Sequence, residues 1–512
     1  MATPSQANQQ AVQQLIQLLN KGQLAQAEST AKSLIAAHPN TFILHHVLAL
    51  ALDGQGKFAE SAASYQNAIK LQPDSSNSLS GADLHFNLSI ALANINCLEE
   101  AEASCKQAIR LNPNFFEARG NLGTILQRQG KLDEAIASYQ TGLKINPQDA
   151  RGHFNLGTAL RDKGALEDAI KSYLSAIRLF PKYTDAHNNL GETFRDQGNM
   201  DAAVKAYQAA LALNPSHANA NYNMAEFCYL AKKFDEAIPY FERSQLDDWQ
   251  ARILYCLYKA EKFAEFKTKR AEIMRQQPHV SPFLATLSTH YSLNFNEVDP
   301  YSFCKNGLDF VYHKAVPELA PNSALLADLL HDINTAEIAE RKQGRLTNGQ
   351  QSAGNLFKRP EASFRALAEL IKKEFLAYQA KFFSADCALI QAFPTELEFT
   401  SSWYVKMQQG GHLNAHVHEI GWISGAVYLA MPKSDGIEGA FEYGTHGDDY
   451  PLLDQAKLVN FPVAQLLPNV GDIVLFPSSL FHRTIPFNAN AERICIAFDL
   501  KPALTTSAIN NY

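Results

Sequence analysis

FEARGNLGTILQRQGKLDEAIASYQTGLKINPQ, residues 116–148, reads as two amphipathic helices joined by a turn. Leu122, Ile125 and Leu126 mark one apolar stripe, and Ala135, Ile136, Tyr139 and Leu143 mark the next, at i, i+3, i+4 spacing. Gly130 sits where the chain must turn, and Pro147 stops the second helix. The small Ala135 lets the two helices approach closely. The same unit recurs in both directions. Prolines fall at Pro39, Pro73, Pro113, Pro147, Pro181 and Pro215, evenly spaced except between Pro73 and Pro113. That wider gap is one period plus a short polar insert near Ser75–Ser80. Glycines keep step at Gly22, Gly56, Gly130, Gly164 and Gly198, with Asn96 in the remaining place. Five positions after each comes a small residue: Ala27, Ser61, Ala101, Ala135, Ala169, Ala203 and, one period on, Ala237.

A helix pair repeated every ~34 residues resembles the tetratricopeptide repeat. The resemblance covers about eight units from residue 8 to residue 279, and the last, from Trp249, has lost the turn glycine, as capping repeats do. It implies a superhelix whose concave groove is lined by the first helix of each repeat. Asn87, Asn121, Asn155, Asn189 and Asn223 recur on those first helices. Stacked, they would form a ladder of amides, each offering a donor and an acceptor to a peptide backbone. The array of O-linked N-acetylglucosamine transferases, which this segment resembles, uses such a ladder. The alternative is that these asparagines bond locally within the repeats. Repeat arrays of this type bind proteins or peptides, so a protein or peptide partner is expected.

The whole chain of 512 residues is too long for one compact core. Its 45 Lys and Arg against 52 Asp and Glu give a net charge of −7, without the basic excess that nucleic-acid binding would show. At 46% apolar residues, disorder has no support. Seven scattered cysteines without CxxC pairs read as reduced thiols, not a disulfide framework or a zinc ribbon. MATPSQANQQ shows no secretory pattern, and no run of about 18 apolar residues appears. A cytoplasmic protein without membrane contact is expected. From about residue 280 the period is lost. Ser323–Ile338 and Ala362–Phe383 read as amphipathic helices, and Gly344–Gly354 between them as a polar surface loop or a lid near an active site. That loop has no phosphate-cradling glycine pattern.

From Thr395 the sequence changes to short β-type runs: FTSSWYVKM, ISGAVYLAM, GAFEY, DIVLF and RICIAFDL, separated by turn residues. Their spacing suggests a double-sheet jelly roll. Three histidines crowd into GHLNAHVHEIGW, at His412, His416 and His418, and His482 follows the run GDIVLFPSSLF. On a regular strand His412, Asn414, His416 and His418 share one face, the barrel interior. Buried imidazoles are costly unless paired or metal-bound. His482, brought in from a strand much later in the chain, would complete three ligands on one face of an ion. Imidazole suits Fe, Zn, Cu and Ni alike. Arg493 follows His482 on an apolar strand, with Cys495, Ala497 and Asp499 on its inward face. A buried Arg needs an anion, either a ligand carboxylate or a structural Asp or Glu.

Taken together, His416-x-His418, SGAVYL, GDIVLFPSSLFH ending at His482, and Arg493 resemble the iron(II)/2-oxoglutarate-dependent oxygenases, over roughly residues 322–500. The match is nearest to a bacterial subgroup with an HxH signature. The resemblance implies Fe(II) and 2-oxoglutarate, with ascorbate as an accessory reductant. It makes His416, His418 and His482 metal ligands and Arg493 the cosubstrate anchor. Tyr404, Asn414 and His412 become candidate contacts of cosubstrate or ligands. The family places a carboxylate where this chain has His418, so three neutral imidazoles replace two imidazoles and a negative charge. Glu419, next door, is the alternative third ligand.

The expected architecture is α+β and multidomain: an all-α superhelix over residues 1–279, a connecting segment over 280–321, and a cupin-like jelly roll (a double-stranded β-helix) with flanking helices over 322–512. The expected function is hydroxylation of a protein or peptide recruited by the repeats. Two alternatives stay open: a scaffold protein with a degenerate oxygenase domain, and a three-histidine dioxygenase that needs no 2-oxoglutarate.

Overall fold

The computed structural model describes residues 4–71, 79–246, 248–276, 278–336, 338, 340–341, 344–393, 397–419, 421–434 and 436–502. Most of the insert expected near Ser75–Ser80, and Thr395 where the β-type pattern begins, lie outside these residues. No helix among those described is long and apolar enough to cross a membrane.

The repeating unit folds as paired helices, from Pro4–Asn20 with Leu24–Ala37 to Trp249–Lys259 with Phe263–Gln276. Each turn needs one residue in the left-handed region, where a Cβ is strained. Gly22, Gly56, Gly130, Gly164 and Gly198 supply it at φ of 69°, 73°, 77°, 84° and 84°. Asn96 does so at 62°, and Lys232 and Glu261 hold the same place in the last two pairs at 59° and 57°. Lys131 N then donates to Leu126 O at 2.9 Å, closing the helix end. Lys232→Gly and Glu261→Gly are each expected to stabilise the protein by about 1 kcal/mol, and Asn96→Gly by less, because Asn tolerates this conformation. Denaturant midpoints of the three variants check both the sign and the order.

The small residues sit at the closest approach between helices. Ala27, Ser61, Ala101, Ala135, Ala169, Ala203 and Ala237 are all fully buried. A second contact is tighter still: a Cβ on Gly123 would lie 2.6 Å from the Tyr139 ring, and Gly157 and Gly191 meet Tyr173 and Tyr207 in the same way.

The chain divides into two compact units, Met1–Met224 and Ala225–Tyr512. The second contains the last repeat helices, a further helix Pro282–Phe295, and an antiparallel sheet of jelly-roll type. Its strands are β1 (Tyr312–Ala315), β2 (Glu340–Arg341), β3 (Leu346–Ser352), β4 (Leu397–His416), β5 (Ile423–Ala430), β6 (Phe441–Gly444), β7 (Val463–Leu466), β8 (Asp472–Pro477), β9 (Phe481–Thr484) and β10 (Arg493–Pro502). They run in the order β1-β8-β5-β10-β4-β9-β6-β7, with β3 beside β4 and β2 beside β3. β4 serves both halves of the barrel: Leu397–Met407 pairs with β10, and Leu413–His416 with β9. It turns between them at Gly410 (φ 76°) and Gly411, where a Cβ would lie 2.7 Å from Gln408 O. β5 and β8 are buried almost throughout, which explains their continuous apolar runs.

The expected flanking helices form as Ala324–Thr335 and Ala362–Lys381. The expected loop Gly344–Gly354 is corrected: most of it is β3. LTNGQQS is polar on both faces because most of β3 is exposed, and its pairing with β4 makes it a strand.

Helices Trp249–Lys259 and Pro282–Phe295 hold the segment that follows β6. Tyr258 Oη and His290 Nδ1 are 2.8 Å apart, as are His290 Nε2 and His446 Nδ1. Asn294 donates to Pro451 O and accepts from Leu453 N, both at 3.0 Å. Burial, with His446 adding to it, pushes the His290 pKa well below its ordinary 6.5, and burial lowers His446 as well. Unfolded, both imidazoles bind protons near pH 6.5; folded, they resist. Stability is therefore unaffected above about pH 7 and falls as pH drops below 6.5, by up to about 1.4 kcal/mol per pH unit for each group. His290→Gln should flatten this slope, which denaturant midpoints at pH 7.5 and pH 5 measure.

Candidate metal centre

β4 ends at His416, the chain turns through His418, and β9 brings His482 into register opposite His416. Their ring centroids are 4.3 Å apart for His416 and His482, 4.8 Å for His418 and His482, and 5.2 Å for His416 and His418. One nitrogen from each ring lies within 4.8 Å of the others. In every ring Nδ1 already has a protein acceptor. His416 donates to Asn414 O at 2.9 Å, His482 to Leu480 O at 3.3 Å, and His418 to Asp499 Oδ1 at 2.5 Å. Three fixed tautomers thus leave three Nε2 lone pairs for one ion, which is how metal-ligating histidines are held. The electrostatics of His416 and His482 agree. Burial, reinforced by His418, lowers the pKa of His416 to about 3, and burial with the two neighbouring rings takes His482 well below 6.5. The donor set therefore fits a divalent transition metal.

Asp499 is buried at the end of the inward row on β10 that starts at Arg493. Burial pushes its pKa up, but the neighbouring His418 and hydrogen bonds from His418, Ser424 and Ser401 outweigh that and hold it below the usual range. Ser424 Oγ and Ser401 Oγ donate to it at 2.7 and 2.8 Å. Glu419, the alternative third ligand, instead pairs with Arg252 at 2.6 Å.

Arg493 is 2% exposed. Its Nε donates to Gly439 O at 3.2 Å and its guanidinium lies 5.1 Å from the centre of the Tyr428 ring. No Asp or Glu pairs with it among the described residues. It lines one cavity together with His416, His418 and His482, between apolar walls that include Val405, Leu413 and Phe476. Two larger cavities also approach the histidines. One of about 460 Å³ runs from His482 to Val463. Another, of about 270 Å³, touches His416 and His418 and carries Arg345, Trp403 and Gln351, whose Oε1 is buried without a partner among the described residues.

Two expectations need correction. His412, Asn414, His416 and His418 do not share one face, because the pairing of β4 with β9 slips between Leu413 and His416. Leu413 and His416 both line the cavity; Asn414 is exposed and acts through its backbone carbonyl, and His412 bonds Gly410 O at 3.1 Å. Tyr404 is not brought to the cavity that holds Arg493 either. Its neighbours Trp403 and Val405 line it, so alternation turns Tyr404 to the other face, opposite Ile496.

In the repeats, four of the five asparagines are engaged inside the array. Asn87 bonds Tyr65, and Asn121 donates to Ser89 Oγ at 2.8 Å. Asn189 accepts from Asn188 at 3.2 Å, and Asn223 donates to Asn188 Oδ1 at 3.0 Å and accepts from Arg195 at 3.1 Å. Asn155 is half-buried.

The fold is a tetratricopeptide-type repeat array followed by a jelly-roll sheet, and both parts match family models. Residues 401–499 match the family model described as "Putative 2OG-Fe(II) oxygenase". Residues 14–76, 46–114, 121–184 and 188–251 match one tetratricopeptide-repeat model, and 104–137 match a second. No curated protein matches the chain. Among solved structures, MamA from Desulfovibrio magneticus is 21% identical and covers 34% of this chain and 96% of its own, at a TM-score of 0.32. YrrB, described as a repeat protein with an unusual peptide-binding site, is 22% identical over 37% of this chain and 95% of its own, at 0.31. A repeat protein from Parabacteroides merdae is 16% identical over 47% and 93%, at 0.40.

Proposed function

We propose that this chain is an Fe(II)/2-oxoglutarate-dependent oxygenase that hydroxylates a protein or peptide. One observation carries the reading: a buried Arg shares a cavity with three histidines, and among the described residues neither a carboxylate on the Arg nor a partner on the three Nε2 atoms is present. His416, His418 and His482 would hold Fe(II), and Arg493 would bind the distal carboxylate of 2-oxoglutarate through its planar fork. Bound there, the iron supplies O2 activation, coupled to decarboxylation of 2-oxoglutarate to succinate and CO2 and hydroxylation of a substrate C–H bond. The protein's part is positional. The Tyr428 ring and the Gly439 carbonyl fix the guanidinium, and the apolar walls exclude water.

Asp499 answers the missing carboxylate ligand. Through the Nδ1–H of His418 it places a negative charge one hydrogen bond behind the metal site and makes that imidazole a stronger donor. Asp499→Asn should lower metal affinity by about 10- to 100-fold while leaving the fold intact, as calorimetric titration with Mn(II) would measure.

The repeats would recruit the substrate, with Asn87, Asn121, Asn155, Asn189 and Asn223 contacting a peptide backbone through the amide valences their internal bonds leave. Seven free cysteines fit a reducing compartment such as the cytoplasm. The direct test is anaerobic loading with Fe(II), then measurement of O2-dependent succinate formation from 2-oxoglutarate. Loading without stoichiometric iron would favour the scaffold reading, and O2 consumption without 2-oxoglutarate the three-histidine dioxygenase.

A further inference from the structure

Beside the metal centre, the cavity of about 460 Å³ runs from His482 and Ala415 to Leu458, Val459 and Val463. Its far rim is the start of β7, which ends the sheet and pairs with β6 alone among the described residues. Thr445 N donates to Pro462 O. Bonded and non-bonded pairs alternate in an antiparallel ladder, so Tyr443–Ala464 and Phe441–Leu466 are the bonded pairs that follow. The N–H and C=O groups of Val463 and Gln465 therefore point away from β6. Neither residue makes a further backbone hydrogen bond among those described.

Proteins protect such edges with charge, proline or a covering element. β7 reads VAQL and carries neither charge nor proline. Around it Leu458, Val459 and Val463 are 47%, 88% and 60% exposed. The geometry points to β7 as the docking edge for an extended segment of a polypeptide substrate, which pairs with Val463 and Gln465 and runs on past Val463 into the cavity, carrying one side chain towards His482. This rests on the oxygenase reading above and names how its substrate enters. Outward donors and acceptors at alternate residues are matched by another extended backbone, and the exposed aliphatic rim by apolar side chains. A second copy of this chain, paired edge to edge, is the rival occupant.

The test uses the iron-loaded full chain with 2-oxoglutarate, O2 and a randomised pool of synthetic tridecapeptides, read by mass spectrometry for gain of one oxygen atom. Gln465→Pro removes an outward N–H while sparing the bonds to β6, since proline is tolerated on an edge. Gln465→Ala keeps the backbone and removes only the side-chain bond to Glu442 at 2.6 Å. Val463→Lys keeps every backbone group and puts a charge on the edge. Peptide modification by each variant is normalised to its own peptide-independent succinate formation, with circular dichroism confirming the fold. Wild type and Gln465→Ala should modify a shared set of peptides, and Gln465→Pro and Val463→Lys should lose about tenfold or more. Three results would overturn the inference: unchanged peptide modification in both edge variants, wild-type succinate formation with no peptide modified, or a wild-type dimer that Gln465→Pro dissociates. A wild type that forms no succinate under any condition removes the oxygenase reading, and this inference with it.

Discussion

His482→Ala is expected to lower metal affinity by more than about 100-fold, from one ion per chain to almost none on purification. Removing an outer partner of a ligand costs about 10- to 100-fold, and removing the ligand itself costs more. His482 opposes His416 across the β4–β9 pairing, so its loss leaves two imidazoles on one side of the ion. His412→Ala is the control. It removes a half-buried imidazole just before His416 that, among the described residues, bonds only Gly410 O, and it should leave affinity unchanged. Metal content by elemental analysis, with Co(II) titration followed by its visible spectrum, reads both. Equal affinity in His482→Ala and wild type would exclude the three-histidine site.

Arg493→Ala should cost about 2–5 kcal/mol in 2-oxoglutarate binding, which is about 30-fold to several thousand-fold in Kd. The reason is burial: the guanidinium is nearly closed to solvent, and its partner carboxylate would be equally desolvated. Arg493→Lys keeps the charge and loses the planar fork, so it should fall between the two. Anaerobic calorimetry with Mn(II) in place of iron isolates binding from turnover. Because no carboxylate of the protein pairs with Arg493 among the described residues, the alanine variant should be no less stable than wild type. A structural ion-pair role would predict the opposite, and undiminished 2-oxoglutarate binding would sink the anchor assignment.

The repeats were legible because each is a local unit: turn residue, small contact residue and terminating proline all lie within a single period. The departures Lys232 and Glu261 show that the backbone keeps the left-handed turn even where the sequence drops glycine. At the candidate metal centre, His416, His418, His482 and Arg493 stood out because few side chains suit that chemistry. What stayed hidden depends on pairing between distant strands. The slip between Leu413 and His416 overrides simple alternation, and the partnership of Asp499 with His418 joins two strands far apart in the chain. β3 escaped detection for the same reason, since its strand character comes from β4 and not from its own polar sequence.

The bonds from Arg252, His290 and Asn294 to the turn after His418 and the segment after β6 bear on how such a protein can arise. Counted by sequence period, helix Trp249–Lys259 belongs to the repeats; counted by contact, it belongs with the sheet, as does Pro282–Phe295 beyond the period. An inherited exchange of repeat arrays between genes therefore meets a constraint. Recombination upstream of Ala225 transfers the chemistry intact with the helices that brace it. A crossover after Phe295 would hand on a barrel stripped of its supports.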